Sequence, residues 1–320
     1  RAAGGHRAII PVASSIPLTG LSSITARISR SDGAGVAFYQ LGRDGASIEY
    51  RPTSNLIGGN AMELRNKVAI VTGSGGGGSG RAEACRFARE GCLVVVSDID
   101  EAGGLETLNL IEAEGGTAAF FRADVAVESE VKGLIGFAEA RFGGVDIIVN
   151  NASGPGYHPE VPLEYWFETV QIDLLGAMYG TRFGIDAMRR RGGGAIVNIG
   201  STSALPHANS KAPCYDVAKA GVMRLTTGLG WLKEQEGIRV NCLVPDWVAT
   251  PEVKSYFDSL TSEQRKRGKV PDVLTTLEEV ANAVVELVTN DNLAGRVMVL
   301  WSGKPGGLIP VDDPGYGRLE

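Results

Sequence analysis

A glycine-rich run between two apolar segments constrains the fold more than any other feature of this chain. Residues 72–80 read TGSGGGGSG and follow the apolar residues 68–71, which are typical of a strand buried on both faces. Residues 81–90 place small and apolar side chains on one helical face and charges on the other. This order favours a pyrophosphate site, because glycines admit the phosphates and the helix start offers free N–H groups. The alternative, a flexible linker, does not explain the flanks.

Composition narrows the class of protein. The 320 residues carry a net charge of −6, with 43% hydrophobic and 21% charged residues, which is typical of a globular protein and indicates neither nucleic acid nor a membrane as partner. No apolar stretch is long enough to span a membrane. The four cysteines form no CxxC pair and the three histidines are scattered, so we predict free thiols, a cytoplasmic protein and no metal site.

From residue 67 onward, apolar strand-like runs alternate with amphipathic helical segments. This alternation predicts an α/β fold: a doubly wound, Rossmann-like parallel sheet of about seven strands with helices on both faces. Ligands then bind at the carboxyl ends of the strands. The predicted strands are 67–71, 93–97, 118–122, 146–150, 195–199, 239–244 and 296–301, and the predicted helices are 80–90, 101–114, 128–142, 163–190, 214–235 and 277–289.

Residues 1–61 differ from the rest in being rich in Gly, Ser and Ala. Short strands are predicted at 24–28, 36–39 and 47–50, but they are too few to bury a core. We expect an N-terminal extension that is partly disordered or made of short β segments. Three origins stay open: an appended hairpin, a remnant of another domain, or sequence outside the native product, with Met62 a natural start for the Rossmann-like domain.

Asp98 ends the second predicted strand, about 20 residues after the glycine turn. A carboxylate there can accept hydrogen bonds from the adenosine ribose hydroxyls. Because a 2′-phosphate would meet like charge, Asp98 favours NAD over NADP. The alternative is a surface aspartate that starts the next turn.

Tyr215 and Lys219 lie four residues apart, on one face of a predicted helix. A tyrosine is ordinarily a poor base at neutral pH, but a neighbouring ammonium and a cationic nicotinamide favour the phenolate. Such a pair also arises by chance on helix surfaces. Here it follows a hydroxyl-rich loop, residues 200–203, at the end of a buried strand, which can hold a substrate oxygen beside the phenol.

Taken in order, these motifs resemble the short-chain dehydrogenase/reductase family over about residues 63–310. The resemblance adds an adenine contact at Asp124, a sheet-supporting Asn-Asn-Ala turn at 150–152 and a nicotinamide-end segment at 245–250. The cofactor-binding positions that it implies are Gly73, Gly78, Ser79, Gly80, Asp98, Asp124, Val125, Asn151, Ala152, Tyr215, Lys219, Pro245, Val248 and Thr250, and the catalytic positions are Ser201, Tyr215, Lys219 and Asp173.

Five features depart from the family's pattern. The glycine loop is one residue longer than usual, Ser153 replaces a glycine, and Asp246 replaces another glycine near the nicotinamide end. Asp173 replaces the asparagine whose backbone carbonyl holds a relay water in the family. An aspartate keeps that carbonyl, and its added charge can change the ionisation of the lysine and tyrosine or its own. The serine-to-tyrosine spacing is also one residue longer, which makes Ser203 a rival to Ser201.

The resemblance implies an NAD-dependent oxidoreductase that interconverts a secondary alcohol and a ketone by hydride transfer, with tyrosine as the general base. It also implies a homotetramer. The alternative is a relative that binds dinucleotide but turns over little, acting as a sensor or scaffold. Epimerisation and dehydration are disfavoured because few residues follow Pro245, and enoyl reduction because that subfamily spaces its tyrosine and lysine more widely.

A single Rossmann-type domain is expected over residues 62–320. Its substrate-binding loop region is expected at about 246–275. Mostly aromatic residues in the segments where this family builds its pocket indicate a partly aromatic cavity for a ring or a medium-sized apolar ketone. The alternative is that they pack against neighbouring helices or a partner subunit. The candidates are Tyr157, His158, Trp166, Leu205, His207, Trp247, Tyr256 and Phe257.

Overall fold

The computed structural model describes residues 25–29, 36–41, 48–51, 62–205 and 211–311. The chain divides into two compact units, residues 1–58 and residues 59–320. The described strands of the first unit form an antiparallel sheet in the order β1-β2-β3, and they overlap the three segments predicted as strands. They are β1 (Thr25–Ser29), β2 (Val36–Leu41) and β3 (Ile48–Arg51).

The second unit is built on a sheet in the order β11-β10-β9-β8-β7-β4-β5-β6. Strands β4 to β10 are parallel to their neighbours and fall within about a residue of the predicted strands, so the predicted Rossmann-like parallel sheet is confirmed. Strand β11 was not predicted: its two residues pair antiparallel with β10 and carry no apolar run. The strands are β4 (Val68–Thr72), β5 (Leu93–Asp98), β6 (Thr117–Arg122), β7 (Ile147–Asn150), β8 (Gly194–Ile199), β9 (Ile238–Pro245), β10 (Val297–Leu300) and β11 (Gly307–Leu308).

Helices connect these strands, and two predicted helices are divided in the structure. Segment 163–190 is interrupted by a π-helical turn (Gln171–Leu175), and segment 214–235 breaks where two glycines follow residue 227. Two short helices occupy the segment predicted as a loop region. The helices are α1 (Ser79–Arg89), α2 (Glu101–Ala113), α3 (Glu128–Phe142), α4 (Leu163–Val170), α5 (Gly176–Arg191), α6 (Pro213–Thr227), α7 (Leu232–Glu236), α8 (Pro251–Ser259), α9 (Ser262–Gly268) and α10 (Leu277–Thr289), with a 3₁₀ turn at Thr202–Ala204.

The core lies on both faces of the parallel sheet, because successive side chains of β4 pack into two different clusters. Ala69 and Val71 lie in a cluster with residues of α1, α2 and α10. Val68 and Ile70 lie in a second cluster with residues of α3 and α5. Every residue of β4, β8 and β9 is buried, which is typical of parallel strands covered on both sides.

A buried polar network supports the centre of the sheet below its carboxyl edge. The Nδ2 of Asn150 on β7 donates to the Oδ1 of Asn198 on β8 at 2.8 Å and to the Oγ1 of Thr181 at 3.2 Å. Asn198 in turn donates to the Oγ1 of Thr226 at 3.0 Å. Because satisfied buried polar groups fix one arrangement of their elements, this network holds α5 and α6 in place on the sheet.

Among the described residues, no helix combines the length and the apolar character needed to cross a bilayer.

Candidate active site

The carboxyl ends of the parallel strands meet along one edge of the sheet, and the predicted site residues lie along that edge. The sheet order reverses between β4 and β7, which is where ligands bind in folds of this kind. The residues at or just after the ends of strands β4 to β9 are, in chain order, Gly73, Asp98, Asp124, Asn151, Ser201 and Pro245.

Two positions of the glycine loop require glycine for steric reasons. Gly73 has a φ of +65°, and a Cβ there would lie 2.6 Å from the Cα of Ala152. A Cβ at Gly80 would overlap the carbonyl oxygen of Gly73 and lie 2.5 Å from the Nδ2 of Asn151. These approaches are closer than any real Cβ contact, so the loop closes against the turn that follows β7 only because the two side chains are absent.

Gly78 is the N-cap of α1. Among the described residues, no side chain caps this helix start, and the first turn contains no acidic residue. A Cβ at Gly78 would make an ordinary contact of 3.5 Å with the Cγ2 of Thr250, and at Gly76 it would meet nothing within 4 Å. The structure therefore gives Gly78 no steric requirement of its own, and its role toward a pyrophosphate stays a prediction. The uncapped N–H groups and the helix dipole suit an anion.

Asn151 clamps the glycine loop to the central strands. Its Nδ2 donates to the carbonyl oxygens of Thr72 at 2.9 Å and Gly73 at 3.1 Å, and its Oδ1 accepts from the Oγ of Ser79 at 2.9 Å. The Oγ1 of Thr72 accepts the backbone N–H groups of Asn151 and Ala152, both at 3.1 Å. Thr72 was not among the predicted site residues. The sequence indicates its role only through a hydroxyl at the last position of an otherwise apolar strand.

Asp98 is fixed at the end of β5 by two backbone donors. Its Oδ2 accepts the N–H of Gly75 at 2.7 Å and its Oδ1 accepts the N–H of Asp100 at 3.0 Å. A Cβ at Gly75 would lie 2.8 Å from the Cγ of Asp98, so the carboxylate lies directly against the glycine loop. Each oxygen keeps lone-pair capacity for a further hydroxyl donor.

The cation nearest in sequence to the loop, Arg81, is already paired. Its Nη2 donates to the carbonyl oxygen of Gly75 at 2.8 Å and to the Oε2 of Glu106 at 2.6 Å, and its Nε donates to the Oγ1 of Thr107 at 2.9 Å. The guanidinium therefore braces the start of α1 against α2. Its charge is largely offset by Glu106.

The predicted adenine contact, Asp124, lies in the turn between β6 and α3. Its Oδ1 accepts the N–H of Ala126 at 2.9 Å, and its own N–H donates to the Oε2 of Glu130 at 2.8 Å. Val125 is buried against Gly176, where a Cβ would lie 2.9 Å from the valine Cγ2. This turn is thus rigidly attached to the start of α5.

Lys219 is buried at the centre of the site. Its Nζ donates to the carbonyl oxygen of Ile199 at 3.1 Å and lies 2.9 Å from the Oδ1 of Asp173 and 5.4 Å from the centre of the Tyr215 ring. Burial by itself lowers the pKa of Lys219, but the charges of Tyr215 and Asp173 outweigh it, so the pKa is raised and the ammonium form is held.

Asp173 lies in the π-helical turn between α4 and α5, and its carboxylate is fully buried. Its Oδ1 accepts from the Oγ of Ser153 at 2.5 Å, and its Oδ2 accepts the N–H of Gly154 at 3.0 Å. The expectation from sequence concerned the backbone carbonyl of Asp173 and an effect of its added charge on the lysine and tyrosine. The structure adds a direct contact between its carboxylate and Lys219.

The two candidate serines differ in their surroundings. The Oγ of Ser201 accepts the N–H of Ser203 at 3.2 Å and caps the 3₁₀ turn. The Oγ of Ser203 is buried and has no hydrogen-bond partner among the described residues.

Asp246 anchors the 3₁₀ turn that follows β8. Its Oδ1 accepts from the Oγ1 of Thr202 at 3.2 Å, and its Oδ2 accepts the N–H of Ser302 at 3.3 Å. The extra carboxylate predicted near the nicotinamide end is therefore engaged on both oxygens.

The segment after β9 returns over the glycine loop. Thr250 is the N-cap of α8, where its Oγ1 accepts the N–H of Val253 at 3.3 Å, and its methyl group faces Gly78. Val248 forms an isolated parallel bridge with Thr275. The predicted nicotinamide-end residues are thus brought to the same edge as the glycine loop.

The predicted pocket residues fall into separate groups. Trp247 stacks on Tyr256 with ring centres 6.1 Å apart, and Phe257 lies under the guanidinium of Arg265. Tyr157 contacts the ring of Tyr165, with ring centres 4.8 Å apart. A Cβ at Gly156 would lie 3.8 Å from the Cβ of Tyr215, so this segment passes beside the phenol. His207 lies outside the described residues.

Comparison with known proteins agrees with this geometry. Residues 67–260 match the family model described as short chain dehydrogenase. An uncharacterized oxidoreductase of Thermotoga maritima is 38% identical over 73% of this chain and 92% of its own length. A cyclohexanol dehydrogenase of an Acinetobacter species is 32% identical over 72% of this chain and 90% of its own. The solved structure of a 7α-hydroxysteroid dehydrogenase, complexed with NADH and 7-oxo glycochenodeoxycholic acid, has a TM-score of 0.67 at 28% identity and covers 77% of this chain and 96% of that one.

The doubly wound sheet and the polar groups at its carboxyl edge define a protein of the Rossmann type. More specifically, the chain belongs to the short-chain dehydrogenase family, as the resemblance in sequence implied.

Proposed function

We propose that this protein is an NAD-dependent dehydrogenase that interconverts a secondary alcohol and a ketone. The observation that carries this proposal is the buried ammonium of Lys219, held by Ile199 and Asp173 beside the ring of Tyr215. A buried cation next to a phenol at the carboxyl edge of a parallel sheet suits proton transfer to and from a substrate oxygen. Tyr215 takes the hydroxyl proton in oxidation and returns it in reduction.

The residues present fit a dinucleotide. The glycine cradle, the uncapped start of α1 and the fixed Asp98 carboxylate suit its pyrophosphate and ribose, and Thr250 and Val248 reach the same edge. When bound, the nicotinamide ring supplies the hydride acceptor. Of the three N–H groups of Lys219, two are used by Asp173 and Ile199, which leaves one for a ribose hydroxyl.

NAD is proposed over NADP. A 2′-phosphate beside Asp98 would meet like charge, and the nearby Arg81 is already paired with Glu106 at 2.6 Å. Ser201 is favoured over Ser203 as the group that holds the substrate oxygen, because the Oγ of Ser203 is buried.

The substrate is proposed to be a partly apolar cyclic alcohol or ketone. The stacked rings of Trp247 and Tyr256 offer an apolar surface on the segment that follows β9. Relatives named for cyclohexanol and for a hydroxysteroid act on rings, which supports this class. We further propose a cytoplasmic homotetramer; the four cysteines are free, which suits a reducing compartment.

The test is a screen of cyclic and steroidal secondary alcohols with NAD and, separately, NADP, followed by the absorbance of the reduced cofactor. We expect turnover with NAD, and loss of about 10²–10⁴-fold in kcat in Tyr215→Phe with NAD binding retained by calorimetry. The matched control Tyr179→Phe, on α5, should keep its activity. A Tyr215→Phe variant with most of its kcat would refute the assignment, and NAD binding without any turnover would favour the sensor or scaffold alternative.

A further inference from the structure

The site contains a buried charge pair that sequence motifs alone do not explain. The side chains of Lys219 and Asp173 are 2% and 0% exposed, with 2.9 Å between Nζ and Oδ1. Breaking such a pair leaves a buried charge uncompensated, so the two groups act as one electrostatic unit.

Ser153 belongs to this unit. It stands in the turn after β7, donates its hydroxyl to the Oδ1 of Asp173, and precedes Gly154, whose N–H donates to Oδ2. The carboxylate therefore has three donors, one of them charged, which compensates for its burial. Two of the residues that depart from the family's pattern, Ser153 and Asp173, are in direct contact, so they form one local arrangement rather than two unrelated departures.

We propose that Asp173, oriented by Ser153, is a positioning residue that offsets the charge of Lys219 beside Tyr215. The phenol then faces a neutralised pair rather than a lone ammonium, so less positive charge favours its phenolate form. Alcohol oxidation, which needs the phenolate, therefore requires a higher pH than it would beside an unpaired ammonium. This inference rests on the proposed function of Tyr215 as the proton-transfer group.

The other titratable groups around Lys219 do not provide this effect. Tyr215 is on the same helix, Asp173 comes from the π-helical turn, and Cys242 comes from β9. Burial raises the pKa of Cys242 to about 12, so its thiol carries no charge in the working range. The strands β8 and β10 and the 3₁₀ turn contribute no titratable side chain. Among the described residues, Asp173 is the carboxylate in ion-pair contact with the ammonium.

Two substitutions should move the pH dependence in opposite directions. Asp173→Asn removes the anion but keeps the shape, so the lone ammonium favours the phenolate. The pH midpoint of kcat/KM for alcohol oxidation should fall by about one unit or more. Ser153→Ala removes a donor from the carboxylate and leaves more of its negative charge facing the ammonium. Its midpoint should rise by a few tenths of a unit.

The same titration can be followed without turnover. Tyrosinate absorbance of the cofactor-free protein, with the Tyr215→Phe variant subtracted, reports the phenol directly. Absence of NAD-coupled turnover in the unchanged protein would refute the proposed function, whereas this absorbance still tests the charge pair.

A loss of packing alone would lower activity in both variants without opposite shifts. Unchanged midpoints, or shifts of the same sign, would overturn the proposal. If Asp173→Asn does not fold, as judged by circular dichroism, Ser153→Ala alone tests the proposal. A rise in the pH midpoint of kcat/KM for this variant supports the proposal, and any other result refutes it.

Discussion

At the scale of single residues, Glu83 is the most unusual group outside the site. It lies on the buried face of α1, and neither of its carboxyl oxygens has a hydrogen-bond partner among the described residues. Burial raises its pKa from an ordinary 4.5 to about 8. The folded protein therefore holds a proton at neutral pH that the unfolded chain releases.

This difference predicts how stability depends on pH. Because the folded state binds the extra proton between about pH 4.5 and about pH 8, the free energy of unfolding falls as the pH rises through that window and levels off above it. Glu83→Gln should remove this decline, a change of a few kcal/mol across the window. Urea unfolding at several pH values measures it, with Glu112→Gln on the exposed face of α2 as the control. Parallel curves for Glu83→Gln and the unchanged protein would contradict the prediction.

The residues of the site were accessible to sequence reasoning to different degrees. Helical spacing places Tyr215 and Lys219 on one face of a helix, and the resemblance to the family implies their catalytic positions. The ion pair between Lys219 and Asp173 could not be predicted from the sequence, because it depends on a π-helical turn that no local sequence pattern indicates. Similarly, the extra carboxylate of Asp246 was visible in the sequence, but its two partners come from distant turns.

At the scale of elements, the glycine loop and α1 are joined by close backbone contact. Exchanging a glycine inside a helix for alanine usually stabilises a protein, since alanine loses less conformational freedom on folding. Gly80 lies in the first turn of α1, where a Cβ would overlap the carbonyl oxygen of Gly73. The steric effect therefore reverses the usual sign at this position.

Gly80→Ala is expected to lower the free energy of unfolding by about 1–3 kcal/mol, the usual effect of forcing an extra carbon into a closely packed site. The control is Gly76→Ala, in the same loop, where a Cβ would meet nothing within 4 Å and stability should stay nearly unchanged. Urea unfolding of the cofactor-free proteins compares the two. Equal stability of both variants would show that the loop relaxes and that the close approach is not required.

The strands were easier to predict than the helices for a physical reason. Buried parallel strands must be continuously apolar, so their ends are marked where polar residues resume. Helix ends depend on capping and on tertiary contacts. Helices α8 and α9 begin directly after Thr250 and Thr261, whose side chains cap them, within a segment that lacks a long amphipathic pattern.

At the scale of the whole molecule, two neighbouring helices leave large apolar side chains in solvent. Helices α4 and α6 pack against each other. Leu163 and Phe167 on α4 are 57% and 60% exposed, and Val217 on α6 is 64% exposed. Leu163 and Phe167 lie four residues apart on one face of α4, and contiguous exposed apolar surface of this kind is typical of sites that bind another protein. We infer that the exposed side chains of α4 and α6 lie in an interface of the proposed homotetramer. This part of the exposed apolar surface would then contact another subunit rather than the substrate.

Phe167→Asp tests this assignment, because a carboxylate buried in an apolar interface without a partner is strongly unfavourable. Light scattering after size exclusion should give four chain masses for the unchanged protein and a smaller assembly for the variant. Leu110→Asp is the matched control: this leucine is 43% exposed on α2, away from α4 and α6 in the fold, and its variant should keep the full assembly. If Phe167→Asp assembles like the unchanged protein, these helices do not form the interface.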